Sequence, residues 1–162
     1  MESNRLAQWL AIGANLGVLI GLLLLIAELK QNQDMMRAEI RHELSMGIVD
    51  LQQTVASNEQ LADVLYRGGV SGEELTPTEL FQFETRTNAL FRYWEDVHYQ
   101  YRVGLYDETE FARQREAWRE SLQRSELGRA YWCKVRQLYS PEFAAEMNGL
   151  FKGSACGATA KT

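Results

Sequence analysis

Residues 6–27 read LAQWLAIGANLGVLIGLLLLIA, and this stretch decides the architecture of the chain. It contains no charged side chain, and 17 of its 22 residues are apolar. As an α-helix it would be about 33 Å long at 1.5 Å per residue, close to the ~30 Å hydrocarbon core of a bilayer. The stretch therefore predicts one transmembrane helix, placed at residues 6–29 after a short N-terminal tail of residues 1–5. The lipid bilayer is the first predicted partner.

Signal peptides and buried helices of soluble proteins are also apolar. A cleavable signal peptide has an apolar core of about 7–15 residues followed by a small-x-small cleavage site. Here the apolar run passes directly into Ala27-Glu28-Leu29-Lys30 without such a site. A buried helix of a soluble protein is rarely apolar on every side. We therefore interpret the stretch as a retained membrane anchor.

The charges beside the span predict its orientation, because Lys and Arg are enriched in the cytoplasmic flank of a membrane helix. Arg5 is the only such residue before the span, whereas Lys30, Arg37 and Arg41 follow it closely. The C-terminal domain is therefore predicted to be cytoplasmic.

The cysteines fit the same compartment. The chain has only two, Cys133 and Cys156, which are too few for a disulfide framework. Cys156 lies within residues 152–162, a tail of small residues that we expect to be disordered. A reducing compartment is the simpler expectation.

Three glycines recur at every fourth position of the span: Gly13, Gly17 and Gly21. They lie along one stripe of the helix, and stripes of small residues let two membrane helices approach closely. Asn15 lies about 160° around the helix from the middle of this stripe. Its amide is costly in hydrocarbon unless it bonds to another helix. These four residues are therefore predicted to mediate self-association into a homo-oligomer.

The rest of the chain is predicted to be all-helical, because no stretch alternates apolar and polar residues between hairpin signals. The all-α fold then consists of the membrane helix continuing into a helical bundle at residues 30–151. Helix starts are indicated by capping residues and prolines at Ser57 or Asn58, Thr76-Pro77, Asp107, Ser125 and Ser140-Pro141. The glycine-rich segment from Gly68 to Gly72 is predicted to be a hinge.

Both histidines close a Glu-x-x-His motif, with Glu39 before His42 and Glu95 before His98. Two such motifs on facing helices occur in ferritin-like di-iron sites. The helical repeat places His98 on an apolar face with Glu95 beside it, but it places His42 opposite the apolar stripe of the first helix. We therefore predict a core-edge His98, a solvent-facing His42, and neither a metal nor another cofactor.

A polar stripe follows the same long helix. Its members recur at spacings of three and four residues: Asn88, Arg92, Glu95, Tyr99 and Arg102. Such spacing allows local pairs such as Arg92 with Glu95. The stripe is either a solvated face, which we favour, or a docking face for a protein partner or an anionic ligand.

Composition and motifs argue against two broad functions. The chain carries 17 basic and 22 acidic residues, a net charge of −5, whereas a nucleic-acid-binding face needs an excess of cations. No Gly-rich phosphate loop, CxxC pair or HExxH motif is present, and Cys133 has few histidines to act as its base. We predict a protein that is not an enzyme and does not bind nucleic acid.

Several short motifs follow one another along the chain. In order they are Lys30-Gln31-Asn32, Phe91-x-x-Trp94-Glu95, Tyr99-Gln100-Tyr101 with Gly104-Leu105, Tyr131-Trp132, and Ser140-Pro141-Glu142-Phe143. In this arrangement the chain resembles an uncharacterised bacterial family of small, single-pass, membrane-anchored helical proteins, over nearly its whole length to about Phe151. The resemblance implies a location and a fold, and it implies no activity or functional residue.

Three functional hypotheses follow. The first is a non-enzymatic, single-pass protein of a bacterial inner membrane that self-associates through its span and presents a cytoplasmic helical domain for protein interaction. The second is a small homo-oligomeric pore or channel-like assembly, with Asn15 and Gln8 lining its interior. The third is a membrane-tethered metalloenzyme or sensor that uses Glu95 and His98.

Overall fold

The computed structural model describes residues 2–151 and Cys156, and within them it contains helices and no strand, as predicted. The helices are α1 (Glu2–Ala56), α2 (Glu59–Tyr66), α3 (Pro77–Arg102), α4 (Glu108–Arg124), α5 (Glu126–Val135) and α6 (Pro141–Gly149). A π-helical turn, Arg67–Ser71, follows α2, and a 3-10 turn, Arg136–Leu138, follows α5. Helix α1 already begins inside the segment predicted as the N-terminal tail.

The chain divides into two compact units, one extending to Glu39 and the other beginning at Ile40. The first unit contains the apolar part of α1. The most apolar 18-residue window of α1 has a mean hydropathy of 2.5, and none of it is buried. A helix in the core of a soluble protein would be mostly buried, so α1 is long enough, apolar enough and exposed enough to cross a membrane.

The predicted caps form at most helix starts of the second unit. The Asn58 side chain accepts a hydrogen bond from the Leu61 N–H (3.0 Å). Thr76 and Glu79 form a reciprocal capping box, in which Glu79 Oε2 accepts the Thr76 N–H at 2.8 Å. Helix α6 begins at Pro141 as predicted, but the Ser140 side chain does not cap it. Local sequence therefore determines where these helices begin, and α6 is stabilised in another way.

The predicted glycine hinge is instead a regular π-helical turn. Gly68 is buried there, and a Cβ atom at that position would lie 2.7 Å from Leu75 Cδ1. Gly72 has a φ of +71°, a left-handed conformation that ends the turn. The glycines thus allow close packing and chain reversal, and the segment is not a simple flexible loop.

The core of the second unit is rich in aromatic rings contributed by α3, α4, α5 and α6. The most deeply buried large side chains are Phe91, Trp118, Trp132, Phe143 and Met147. The Trp94 and Trp118 rings stack with centroids 5.3 Å apart. Part of the aromatic-rich segment of α3 therefore packs into the core.

The expectation of reduced cysteines is wrong for this structure. Cys133 of α5 and Cys156 form a disulfide across 23 residues, with Cα atoms 5.4 Å apart. Cys156 also packs against the aromatic core, so this position of the predicted disordered tail is ordered. The prediction of disorder was based on the local sequence around Cys156, which has no helical pattern. It failed at this residue because the disulfide to Cys133 attaches it to α5. The other residues of the predicted tail, 152–155 and 157–162, lie outside the described residues.

Candidate functional site

The residues predicted to mediate self-association are accessible in the first unit. A Cβ atom added to Gly13, Gly17 or Gly21 would meet nothing within 4 Å. Asn15 is exposed as well. The glycine stripe therefore presents bare backbone, and no packing against residues that the structure describes explains the small residues.

The polar stripe on α3 is largely engaged within the second unit. Asn88 Oδ1 accepts a hydrogen bond from the Tyr139 hydroxyl at 2.6 Å. The Arg92 guanidinium lies 4.0 Å from the centre of the Tyr139 ring and donates to the Leu138 carbonyl at 3.1 Å. Through these contacts α3 binds Leu138 and Tyr139, which lie in the connection between α5 and α6.

Glu95 is the centre of this arrangement. Its Oε1 accepts the Ser140 backbone N–H at 2.7 Å, and its Oε2 accepts a hydrogen bond from Arg92 at 2.7 Å. Burial acts to raise the pKa of Glu95, but the hydrogen bonds from Ser140 and Arg92 outweigh it and lower the pKa below its usual value. The carboxylate thus binds the N–H of Ser140, the residue immediately before α6, whose own side chain does not cap the helix.

The far end of the stripe is more open. Arg102 pairs with Glu142 at 3.1 Å, where both side chains are about half exposed. Tyr99 is 55% exposed. The stripe is therefore neither a plain solvated face nor a wholly free docking face, since most of its polar groups have partners within the domain.

The two histidines occupy the predicted environments. His98 is 6% exposed, with its ring centre 5.9 Å from that of Phe111 and 5.7 Å from that of Phe143. Burial lowers the pKa of His98 below its usual value. His42 is exposed. Within residues 2–151 and Cys156, no group of three or more His, Cys, Asp or Glu side chains could hold a metal ion.

Arg67 ties together the segments around the π-helical turn. Its Nε bonds to Asp63 Oδ2 at 2.8 Å, and its Nη2 bonds to Glu79 Oε1. Hydrogen bonds from Arg67 and Thr76 lower the pKa of Glu79 to about 2. The turn is therefore connected both to α2 and to the start of α3.

A cleft between α3 and α4, here called the α3–α4 cleft, is closed at one end by the π-helical turn and α5. Its volume is about 290 Å³. Rings and aliphatic groups dominate its walls, together with three hydroxyl groups and the guanidinium of Arg124. Sequence reasoning missed this cleft because its lining residues come from separate elements and share no local motif.

The described residues thus include an unburied glycine stripe on α1 and an apolar cleft in the second unit. The chain was compared with protein-family models, with curated proteins and with solved structures, and none of them matches it.

Proposed function

We propose that this chain is a non-enzymatic, single-pass membrane protein that self-associates through α1 and presents its helical domain for protein interaction. One observation carries the proposal. The stripe of Gly13, Gly17 and Gly21 has open space where each Cβ would be, within a helix stretch that is apolar and unburied.

Close approach of two backbones is the physical advantage of such a stripe. Lipid tails are as apolar as leucine, so membrane helices associate through van der Waals packing and interhelical hydrogen bonds. Exposed Leu16 and Ile20 flank the glycines and supply apolar surface for a neighbouring helix. The glycine face therefore suits a second copy of the same helix.

Substitution of Gly17 tests the proposal. Gly17→Leu adds a branched side chain at the centre of the stripe, so we expect a shift from oligomer to monomer in mild detergent, measured by light scattering after size-exclusion chromatography. Ala11→Leu is the matched control, because it adds the same side chain about 120° away from the stripe. A monomeric wild-type chain, or equal effects of the two substitutions, would contradict the proposal.

Asn15 supports a pore as the second candidate function. It is an exposed amide in the span on a face remote from the glycines, so one helix offers two different faces. Two different faces on identical chains allow a closed ring. Ion flux into liposomes that contain the wild-type chain, abolished by Asn15→Leu, would favour the pore. Absence of flux would contradict the pore and favour the first function, a membrane-anchored interaction domain.

The proposed protein interaction rests on the end of the polar stripe that contains Tyr99 and Arg102. Tyr99 is 55% exposed there, and the half-exposed ion pair of Arg102 with Glu142 adds charge at the same end. Aromatic and arginine side chains are enriched in protein interfaces. We assign the partner-binding role of the stripe to this end.

For the location we propose a bacterial inner membrane with the helical domain in the cytoplasm. The cations Lys30, Arg37 and Arg41 favour this orientation, whereas the disulfide favours an oxidising compartment. Cytoplasmic disulfides are usually transient, so both indications agree if the Cys133–Cys156 bond is one of two redox states of the domain. The orientation and the redox state are therefore linked.

A further inference from the structure

The α3–α4 cleft has the size and lining of a small-molecule site. Its volume of about 290 Å³ is just below the range of about 300–1,000 Å³ for ligand pockets. Leu65, Val70 and Leu90 supply its accessible apolar lining, whereas the lining rings of Phe83, Phe91 and Trp94 are each at most 5% exposed. Thr87 and Ser121 add hydroxyl groups from α3 and α4. The cleft thus combines an apolar lining with a few hydrogen-bonding groups.

Close glycine contacts give the cleft its shape. A Cβ atom at Gly69 would lie 3.4 Å from the Phe83 ring and 3.7 Å from Ser125 Oγ. Ser125 Oγ accepts the Gly128 N–H at 2.9 Å, which caps α5 at the edge of the cleft. These contacts bring the π-helical turn, α3 and α5 close together, so the cleft is formed before any ligand binds.

Arg124 is the one ionisable residue in the lining of the α3–α4 cleft, among the residues that the structure describes. It is the last residue of α4, where a cation usually interacts with the free carbonyl groups of the helix end. Arg129 occupies that role, because its Nη1 donates to the Leu122 carbonyl at 2.7 Å and to the Gln123 carbonyl at 2.9 Å. The Arg124 side chain has no hydrogen bond or ion pair within the described part of the chain.

A second, larger groove lies on the other side of the π-helical turn and shares Gly69, Val70 and Arg124 with the cleft. Glu73, Glu74 and Glu126 line this groove. Their negative charge disfavours an anion there. An anionic group paired with Arg124 is therefore better accommodated from the cleft side.

We infer that the α3–α4 cleft binds a small amphipathic monocarboxylate. The apolar body of the ligand lies against Leu65, Val70 and Leu90, and its carboxylate pairs with the guanidinium of Arg124. Arginine presents a planar pair of donors that matches a carboxylate. The charge of Arg124 selects the acid over neutral molecules of the same shape.

Isothermal titration of the full-length chain in lipid nanodiscs tests the inference, with empty nanodiscs as the blank. The probes are 3-phenylpropanoate and its neutral analogue 3-phenylpropanamide. We expect saturable binding of the acid by the wild type, with the amide weaker by about fivefold because the Arg124 side chain is exposed.

The variant Arg124→Gln removes the cation at an exposed position and leaves the core intact. It should bind the acid about fivefold more weakly and lose the preference for acid over amide. Arg113→Gln is the matched control, since Arg113 is an exposed residue of the same helix outside the cleft. Wild-type binding by this control supports the inference.

Three results would overturn it: no saturable binding of the acid to the wild type, equal affinity for acid and amide, or equal losses in the Arg124 and Arg113 variants. The readout does not depend on the oligomeric state, so it can fail or succeed separately from the proposed self-association.

Discussion

At the scale of single residues, the two histidines show how a helical repeat predicts burial. Spacing along α3 places His98 with the apolar residues, and the structure buries it beside Phe111 and Phe143. Spacing along α1 places His42 away from the apolar stripe, and it is exposed. The repeat predicts the face of a residue, but some of the charges that act on His98 come from another helix. Glu142 and Glu146 of α6 act to raise its pKa, and Arg102 acts to lower it.

His98 should make the stability of the domain depend on pH. Burial keeps its pKa in the folded chain below the ordinary value of 6.5, so the unfolded chain binds the proton first as the pH falls. The contribution of His98 to the free energy of unfolding is complete above about pH 6.5, and it declines as the pH falls toward the pKa of His98 in the folded chain. Thermal unfolding of the full-length chain in mild detergent at several pH values should show a shallower decline for His98→Gln than for the wild type.

His42→Gln is the control for this measurement. Because His42 is exposed, this variant should follow the wild-type pH profile. Identical pH profiles of thermal unfolding for His98→Gln and His42→Gln would mean that the buried imidazole does not set the pH dependence of stability.

At the scale of elements, α6 shows that a helix start can be stabilised from a distance. Ser140-Pro141 correctly predicts where α6 begins, but the Ser140 N–H is bound by Glu95 of α3. Thr76 and Asp107, by contrast, cap their own helices as their sequences predict. In each case a local pattern of residues predicts where the helix begins. Only the folded chain shows which group accepts the hydrogen bonds at that position.

Removal of the Glu95 carboxylate should loosen α6 and the turn before it. Glu95→Ala loses the hydrogen bonds to Ser140 and Arg92, so we expect the domain to lose about 1.5–3 kcal/mol of unfolding free energy, typical of hydrogen bonds to a charged group. Hydrogen exchange measured by mass spectrometry should show faster exchange in peptides that include Ser140.

Asp96→Ala provides the comparison, since Asp96 is exposed and lies next in the same helix. Asp96→Ala should change the free energy of unfolding by no more than about 0.5 kcal/mol. Unchanged exchange at Ser140 in the Glu95 variant would show that the carboxylate does not hold the start of α6.

At the scale of the whole molecule, the span and the disulfide carry different information about location. The uncharged run of α1 and the cations after it are properties of a continuous segment. The pairing of Cys133 with Cys156 depends on α5 and the chain end meeting in space. With the domain in the cytoplasm, we expect this bond to be reduced in most molecules at any time.

Thiol trapping in cells measures this directly. Cells are quenched with acid, and the denatured chain is labelled with a maleimide polymer that adds a visible mass per free thiol. We expect two labels on most wild-type molecules, and one label on Cys133→Ser and on Cys156→Ser, which calibrate the gel. A wild-type chain that remains unlabelled until a reductant is added would place the domain on the oxidising side of the membrane.

The sequence by itself determined the apolar helix, the all-α class, most helix starts and the faces of both histidines, because these depend on residues close together along the chain. Only the tertiary structure decided the disulfide, the hydrogen bond from Ser140 before α6 to Glu95, and the α3–α4 cleft with Arg124. Each of these joins residues from separate elements, and Glu95 and Ser140 are 45 positions apart. Their meeting depends on how aromatic side chains pack the helices together, which no local pattern of residues encodes.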